Sequence, residues 1–560
     1  MRTLFIAWVR HPAPWLLAVW LLLNLVQAGL TELFHDEAYY WLFSRRLAVG
    51  YFEHPPMIAW LIRLGTVLLP GELGVRLLPA LMGSASVALL WRLSGREDPW
   101  LFFGLAFSML LMHLGGFFAA PDTPLACFGV LFLLAWKRYL ARDTYADALL
   151  AALAAVAMLY SKYHAAMLLG LVLLSWPGVL RRRTLWPALL AALLLCLPLL
   201  GWLYEQRLGT FAFHLADRVR RPWGPDFLFS YLGGQLGIAG PLTGLLLYPA
   251  ALLHRPEDRF GRALKWIALG IPLFLLLLSF RAWIEANWAA LAYPSMLILA
   301  YGYIRVRPAW RRWALSIAVP GALLLVLLRV QLVSPFLPPQ LAFRTETSGW
   351  KAWADSLARA AGPDAAVFVN TYQYPSKYQF YSGSPAWTLS NALYHPTQFD
   401  LWGAEDSLQG KPATVFMRYY LPGGDSVETP HGRWYFRKIP AFRSYGRVRM
   451  GLADGRRVFP PGRVQMQVRL EAPAGQELML GISEEMPARL GFFLLRDGKK
   501  IVEGWDEDLR WVQYPLRDSL TVQATLHLAY PPGEYELALF LYSGWLAATA
   551  HGPRIPIRIE

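Results

Sequence analysis

Cysteine and charged side chains are both scarce in this chain, and each scarcity excludes a class of protein. Only two cysteines occur, Cys127 and Cys196, and each lies inside an apolar run. A disulfide-stapled fold and a zinc–thiolate site both need more cysteines than this. Charged residues make up 16% of the sequence against 56% hydrophobic residues, whereas an ordinary soluble domain carries about 25% charged residues. The composition therefore indicates a membrane protein.

The net charge of +15 does not indicate a nucleic-acid partner, because of where the cations lie. In the first half of the chain they flank apolar runs of about 17–26 residues, the length of helix that crosses a bilayer. Such a distribution is typical of membrane topology signals and differs from a binding stripe. No nucleic-acid motif accompanies it, and we expect no nucleic acid among the partners.

The apolar runs predict about eleven membrane-spanning helices, so that the two ends of the chain lie on opposite sides of the membrane. Turns rich in arginine and lysine alternate with turns that carry almost none. The positive-inside rule places the cation-rich turns and the N-terminus in the cytoplasm. The first apolar segment has no clear cleavage site and is interpreted as a retained anchor. The predicted spans are 12–32, 72–92, 99–117, 124–140, 145–161, 163–180, 185–204, 227–252, 263–280, 287–304 and 313–333.

Beyond the last apolar run, proline-rich dipeptides mark a linker. Residues 334–445 mix helical and strand patterns and predict an extracytoplasmic α/β domain. From 446 to 560, short alternating strands separated by Pro/Gly turns predict a β-sandwich with a binding, docking or capping role. With the transmembrane domain 1–333, the predicted fold class is a polytopic α-helical membrane protein with a C-terminal extracytoplasmic α/β plus β-sandwich region.

The loop after the first span is the candidate active site. Its sequence from residue 34 to 57 is FHDEAYYWLFSRRLAVGYFEHPPM, and it carries the acids Asp36, Glu37 and Glu53. Acids at a bilayer surface gain nothing from anionic headgroups. Paired carboxylates beside an imidazole suit proton abstraction from a hydroxyl, or the binding of a divalent cation. For the aromatic residues alone, an interfacial belt is the simpler interpretation.

Pro55-Pro56 opens a short apolar helix, 57–69, directly after this loop. The segment is too short to span a bilayer, and we expect it to lie in the interface or to pack as a re-entrant helix. In either position it holds Glu53 and His54 at membrane depth.

Polar residues at three further outer turns are open to two interpretations each. Asp122, in the sequence APDTP, either caps the next helix or pairs and works at the site. Lys162 either snorkels to the interface or neutralises a lipid phosphate. Glu285 and Asn287, in EANW, are explained as helix capping by their residue types alone.

The outer loop 204–226 carries a histidine and several cations, among them His214 and Arg218. Arginine forks match phosphate, so a cationic patch that faces an acidic loop predicts an anion site. For His214 by itself, a surface histidine is the ordinary alternative.

The segments HDEAYYW and YFEHPPM resemble the first extracytoplasmic loop of the GT-C glycosyltransferases that use polyprenyl-phosphate sugars, such as the protein O-mannosyltransferases and the aminoarabinose transferase of lipid A. The resemblance covers the membrane part and not the C-terminal end. It implies an integral enzyme of a bacterial inner membrane that moves a sugar from a polyprenyl-phosphate carrier to a hydroxyl or phosphate acceptor outside the cytoplasm. The acceptor would be a glycolipid, a polysaccharide or a protein.

The resemblance also implies residue roles. Asp36 would be the general base of a single displacement that inverts the anomeric carbon, with Glu37 or Asp122 aligning the acceptor. Glu53 and His214 would hold a divalent cation (zinc, magnesium or manganese), and no organic cofactor is expected. The residues expected to contact the carrier, its phosphate or its sugar are Tyr40, Tyr51, His54, Lys162, Arg218, Glu285 and Asn287.

Two departures from the lipid A enzyme leave the donor open. Tyr39 stands where that enzyme has arginine, and His54 stands where it has lysine, so two cations near the phosphate are missing. The alternative class of function is a transporter or flippase for lipid-linked sugars, which predicts ionisable residues in mid-span or broken helices repeated in two halves. A non-catalytic assembly scaffold, for which Asp36 is dispensable, is the third interpretation.

Overall fold

The structure, a computed structural model, describes residues 11–206, 223–338, 346–390, 394–546, 549–550 and 552–560. The chain divides into two compact units, Met1–Ser348 and Gly349–Glu560. The first unit is built from apolar helices, and the second unit combines an α/β part with a β-rich part.

Helices joined by short turns make up the described part of the first unit, together with 3₁₀ helices at Pro177–Arg181 and Ala286–Ala289. The α-helices are α1 (Pro12–Leu30), α2 (His35–Arg45), α3 (Met57–Leu68), α4 (Gly71–Leu93), α5 (Pro99–Phe107), α6 (Leu110–Phe117), α7 (Asp122–Arg142), α8 (Tyr145–Ser161), α9 (Ala165–Ser175), α10 (Leu185–Glu205), α11 (Pro225–Ala239), α12 (Gly244–Leu253), α13 (Arg259–Leu278), α14 (Ala292–Arg305) and α15 (Pro308–Val333).

In the described part of the chain, six helices are long and apolar enough to cross a bilayer: α1, α4, α7, α10, α13 and α15. Two bent pairs add two candidates, α5 with α6 at 77° and α11 with α12 at 91°. The segments α8, α9 and α14 are shorter helices that lie where spans were predicted. The polytopic helical architecture is confirmed, and the count of about eleven crossings stays a prediction.

The two bent pairs break where they touch each other. Ser108, in the first break, donates its hydroxyl to Thr243 Oγ1 at 3.1 Å, and the Thr243 hydroxyl donates to the Ser108 carbonyl at 3.2 Å. Gly240 has a φ of 121°, and a Cβ there would lie 2.3 Å from the Ser108 carbonyl oxygen. Irregular backbone inside a membrane needs such protein partners. Packing between the two pairs therefore explains the breaks.

The α/β part of the second unit is a five-stranded mixed sheet in the order β2-β1-β3-β5-β4. Strands β1, β2 and β3 are parallel to one another. Strand β5 pairs antiparallel with β3 on one side and with the edge strand β4 on the other. Its elements are α16 (Trp350–Ala361), β1 (Ala365–Val369), α17 (Gln373–Ser382), β2 (Ala386–Leu389), α18 (Gln398–Leu401), a 3₁₀ helix (Ala404–Ser407), β3 (Ala413–Met417), β4 (Asp425–Thr429) and β5 (Gly432–Ile439).

The β-rich part packs the sheet β11-β10-β14-β16-β7 against the sheet β13-β8-β6, with β9 and β12 paired beside them. Alternate residues of both sheets enter one core, among them Met466 and Leu494, so that the predicted sandwich is confirmed. The strands are β6 (Arg449–Leu452), β7 (Val458–Phe459), β8 (Arg463–Glu471), β9 (Leu478–Leu480), β10 (Ala488–Arg496), β11 (Lys499–Trp511), β12 (Tyr514–Leu516), β13 (Ser519–His527), β14 (Gly533–Ser543), β15 (Thr549–Ala550) and β16 (Ile555–Ile559).

The α/β and β-rich parts share a hydrophobic cluster. Ile482 and Leu546 of the β-rich part pack with Leu421 and Phe442 of the α/β part. This shared core explains why residues 349–560 form one compact unit. The predicted boundary between 445 and 446 therefore stays a prediction.

Candidate active site

Glu37, in the first turn of α2, lies in a fully buried ion pair with Arg76 of α4. The Arg76 Nε donates to Glu37 Oε1 at 2.7 Å, and the backbone N–H of Phe34 donates to Glu37 Oε2 at 2.9 Å. Arg76 also donates to the carbonyls of Ala28 at 3.1 Å and Glu32 at 3.0 Å. Arg76 thus links the end of α1 to the start of α2. A buried charge requires this number of polar partners to be stable.

The same carboxylate ties two loops together. The backbone N–H of Ala119 donates to Glu37 Oε1 at 2.8 Å. Glu37 directly follows Asp36, and Ala119 lies shortly before Asp122, so this bond sets one candidate acid relative to the other. Both Glu37 oxygens are occupied by protein donors, which favours a positioning role over direct contact with an acceptor.

Asp36 differs from its neighbour in being partly exposed. It lies in the first turn of α2, where the helix dipole favours a negative charge. A general base needs an ionised carboxylate that a substrate can reach. The Asp36 side chain is partly exposed and can be reached by a substrate, whereas Glu37 is fully buried.

The aromatic residues of the loop hold its second half against α2. The Tyr39 hydroxyl donates to Glu53 Oε1 at 2.8 Å, and the Tyr40 ring meets the His54 ring edge-on at 5.5 Å. Tyr39, which replaces a cation of the lipid A enzyme, therefore makes a direct bond to the acid of YFE. This contact brings Glu53 and His54 beside the helix that carries Asp36.

Tyr51 is completely buried, in contrast to its predicted contact with the carrier. Its ring stacks on Phe43 at 4.3 Å, and its hydroxyl donates to the Phe43 carbonyl at 3.0 Å. Burial raises the pKa of Tyr51 to about 12, so the phenol stays neutral. With no surface left for a ligand, Tyr51 has the position of a packing residue.

Three of the predicted residues meet where α7 begins and α8 ends. Lys162 Nζ lies 2.8 Å from Asp122 Oδ1 and 2.9 Å from Oδ2, and Asn287 Nδ2 donates to Asp122 Oδ2 at 3.0 Å. The lysine side chain is 6% exposed and the aspartate side chain 17% exposed. Each of these residues was a candidate on its own, but they are far apart in the sequence, which gave no sign that they meet.

The turns that carry these residues are packed against the candidate loop. Met57, which follows the loop at the start of α3, belongs to the same apolar cluster as Tyr163, which follows Lys162. The Trp60 ring lies 5.5 Å from the Tyr160 ring. The loop and the Asp122–Lys162 pair therefore lie at the same end of the helical unit.

Glu285 stands apart from this cluster. It is exposed and accepts a hydrogen bond from Trp283 Nε1 at 3.2 Å. It directly precedes the 3₁₀ helix Ala286–Ala289, although its side chain makes no capping bond. Asn287 donates to Asp122, whereas in the part of the chain that the structure describes the Glu285 carboxylate bonds to Trp283.

The predicted metal site is incomplete in the part of the chain that the structure describes. His214 and Arg218 lie outside the described residues. Among the residues described, no group of three His, Cys, Asp or Glu side chains is arranged to hold a metal ion. Glu53 and His54 do not make such a set by themselves.

Two buried arginines escaped the sequence reasoning. Besides Arg76, Arg329 of α15 is 3% exposed. It donates to His113 Nδ1 at 2.8 Å and to Asn24 Oδ1 at 2.7 Å, which joins α15 to α6 and α1. The sequence signal for both is an arginine within an apolar helix, because charged residues in such segments usually face the bundle interior and serve a function.

Residues 53–202 match the model of the family described as dolichyl-phosphate-mannose-protein mannosyltransferase. The lipid A galacturonosyltransferase RgtD of Rhizobium johnstonii is 28% identical over 367 residues, which cover 61% of this chain and 76% of that protein.

Among solved structures, ArnT from Cupriavidus metallidurans in the apo state matches with a TM-score of 0.56 and 17% identity, over 77% of this chain and 98% of that chain. The same protein bound to undecaprenyl phosphate matches over equal shares with a TM-score of 0.55 and 17% identity. The structural likeness establishes the fold, and the family-model match falls on the membrane unit that carries the candidate site. Together with the helical membrane architecture, these matches indicate a membrane glycosyltransferase.

Proposed function

We propose that this enzyme moves a sugar from a polyprenyl-phosphate carrier to a hydroxyl or phosphate of a glycolipid related to lipid A, on the outer side of a bacterial inner membrane. The observation that carries the proposal is the contrast between the two adjacent acids. Glu37 is locked to Arg76 and Ala119, and the reachable Asp36 is held at a fixed place beside it. The likeness to RgtD and to ArnT supports a lipid A-type acceptor and an undecaprenyl-type carrier.

In the proposed reaction, Asp36 accepts the proton of the acceptor hydroxyl as its oxygen attacks the anomeric carbon. The bond from that carbon to the carrier phosphate breaks, and both of its electrons pass to the phosphate. One displacement of this kind inverts the anomeric carbon. The base accelerates the reaction by accepting the proton from a correctly positioned acceptor, and nearby cations stabilise the negative charge that develops on the carrier phosphate.

Lys162 is the described cation best placed for the departing phosphate. An ammonium group has three N–H donors, and Asp122 accepts from Lys162 with both of its oxygens. One donor remains for a phosphate oxygen. Asp122 and Asn287 then keep the ammonium in place, so Asp122 acts as an orienting group in this scheme.

The arrangement of charges supports an outward-facing site. The cation-rich turns pair with acids of neighbouring turns, as Arg311 does with Asp98 at 2.6 Å and Arg138 with Asp147 at 2.8 Å. Asp122 and Lys162 lie at the opposite ends of α7 and α8. By the positive-inside rule, the first group faces the cytoplasm and the second faces outward.

This orientation predicts that residues 349–560 lie outside the cytoplasm. A reporter enzyme that works only in the cytoplasm should be inactive when fused after Glu560 and active when fused in the turn after α7, since the two positions lie on opposite sides. Activity measured in intact cells distinguishes them. An active reporter after Glu560 would contradict both the orientation and an extracytoplasmic reaction.

A divalent cation held by Glu53 and His214 stays part of the proposal. Removing it with a chelator should abolish transfer, and adding back zinc, magnesium or manganese should restore it, because the metal would neutralise the carrier phosphate. Metal content of the purified protein, measured by mass spectrometry, gives a second readout, and Glu53→Gln should lower it. Full transfer activity in chelator, with no bound metal, would reject the cation.

The carrier is tested by the lipid that accompanies the purified protein. Mass spectrometry of the extracted lipid should find a polyprenyl phosphate or its sugar derivative bound to the enzyme. Repeated extraction that finds only phospholipids, together with no retention of added polyprenyl phosphate, would contradict the proposed donor.

A further inference from the structure

The α/β part of the second unit contains a topological switch point. Strand β1 lies between β2 and β3, and all three are parallel. The chain passes from β1 to β2 on one side and then returns to β3 on the other side. In open sheets of this kind, ligands bind in the crevice at the carboxyl ends of the strands where the order reverses.

The two faces of the sheet confirm the reversal. Phe368 of β1 packs with Trp353 of α16 and Tyr378 of α17 on one face. Val367, the preceding residue, packs with Leu408 on the other face, next to the 3₁₀ helix that precedes β3. The connections on either side of β1 thus cover opposite faces, and the topology places a crevice between the ends of β1 and β3.

The residues at this edge differ from the rest of the sheet. After β1, Asn370 takes a left-handed conformation with a φ of 52° and turns the chain away. After β3 come Arg418, Tyr419 and Tyr420, and the two tyrosines are 63% and 67% exposed. Contiguous exposed aromatic surface of this kind marks a candidate binding site.

Arg418 bridges the crevice. It donates to the hydroxyl of Tyr374, in the first turn of the helix after β1, at 3.2 Å, and its guanidinium lies 5.9 Å from the ring of Trp434. Within the described residues it has no carboxylate partner, whereas Arg433 at the same edge is paired with Glu428. This edge therefore presents a guanidinium with no described carboxylate partner beside two exposed tyrosines, of which Tyr420 also meets the Tyr435 ring edge-on at 5.6 Å.

We propose that this crevice binds an acidic saccharide, the sugar headgroup of the glycolipid acceptor. An arginine fork suits a phosphate or carboxylate group on the sugar, and tyrosine rings offer flat apolar faces and hydroxyls to its ring. The inference rests on the proposed function, because it assigns to the second unit the recognition of the acceptor whose hydroxyl or phosphate receives the new sugar. The charge of the site selects an anionic headgroup against a neutral one.

The test measures binding of soluble saccharides to the full-length protein in micelles, without donor, by calorimetry. The ligands are a phosphorylated glucosamine disaccharide, a hexuronate disaccharide and a neutral disaccharide. We expect the anionic ligands to bind and the neutral ligand to bind at least about tenfold more weakly, since a hydrogen bond to a charged group is worth about this factor. A preference between the two anionic ligands tells phosphate from carboxylate recognition.

Variants locate the binding. Arg418→Gln should weaken anionic binding by about tenfold or more, and the double change Tyr419→Ala/Tyr420→Ala should weaken all saccharide binding. Arg510→Gln and Tyr514→Ala, exposed residues of the β-rich part, are the matched controls and should leave it unchanged. Unaltered affinity in Arg418→Gln, or equal affinity for neutral and anionic ligands, would overturn the proposal.

Transfer kinetics separate this proposal from the proposed function. If the crevice holds the acceptor, Arg418→Gln raises the KM for acceptor and leaves kcat nearly unchanged. If Arg418→Gln has the same transfer kinetics as the wild type, the crevice is rejected as the acceptor site and the glycosyltransferase function stands. Wild-type binding without any transfer from polyprenyl-phosphate sugars rejects the proposed donor and keeps the crevice.

Discussion

Asp36→Asn is expected to lower turnover by about two to four orders of magnitude, the contribution of a general base. Asparagine keeps the shape of the side chain and its place in the first turn of α2, but it accepts no proton. Carrier binding should survive, because the proposed contact of Asp36 is with the acceptor. Transfer of labelled sugar and retention of polyprenyl phosphate, measured on the same preparation, test the two statements separately.

The matched control is Glu72→Gln, which also removes a carboxylate from a first helical turn at the predicted outer side. Its turnover should stay close to that of the wild type. If Asp36→Asn keeps full turnover, Asp36 is not the base and Asp122 becomes the candidate, despite its pairing with Lys162. Normal transfer by both asparagine variants would remove the enzymatic role of this loop.

Arg76→Met is expected to have the largest effect on stability. It leaves the Glu37 carboxylate buried without its cation, and breaking a buried pair in this way costs about 3–5 kcal/mol. The double variant Arg76→Met/Glu37→Met removes both charges and should recover most of the lost free energy of unfolding. Thermal inactivation in micelles and unfolding in denaturant measure the two effects.

Activity of the double variant separates folding from positioning. With Glu37 gone, the N–H of Ala119 has no partner across the loops, so the Asp122 turn is no longer fixed relative to Asp36. A variant that is stable and yet has a reduced kcat would support the positioning role. If the double variant is both stable and fully active, the ion pair has no part in arranging the site.

The candidate residues stand out in the sequence, but the side chains that they contact cannot be read from it. Asp36, Asp122 and Lys162 each stand at the mouth of an apolar run, where a charge needs a reason. The bond from Lys162 to Asp122 joins residues on neighbouring helices, and nothing local in the sequence encodes which helices are neighbours. Sequence alone also suggested a catalytic role for Glu37, because its ion-pair partner Arg76 lies on another helix and could not be recognised.

Other features depend on packing that local sequence patterns do not show. Tyrosine is a residue type common at membrane interfaces, but the Tyr51 ring is buried and stacked on Phe43. The run 99–117 was predicted as one span, and it bends at Ser108 because Thr243 supplies hydrogen bonds across the break. Strand alternation, by contrast, is a local signal, and the sandwich of residues 446–560 followed from it.

The most direct test of the central claim is transfer in a reconstituted system. Purified enzyme in vesicles receives a polyprenyl-phosphate sugar and a lipid A-type acceptor, and both products are quantified by mass spectrometry. The account predicts that each sugar joined to the acceptor, with inverted anomeric configuration, releases one polyprenyl phosphate. Movement of the intact lipid-linked sugar across the bilayer, with no glycosylated acceptor and no released polyprenyl phosphate, would contradict it.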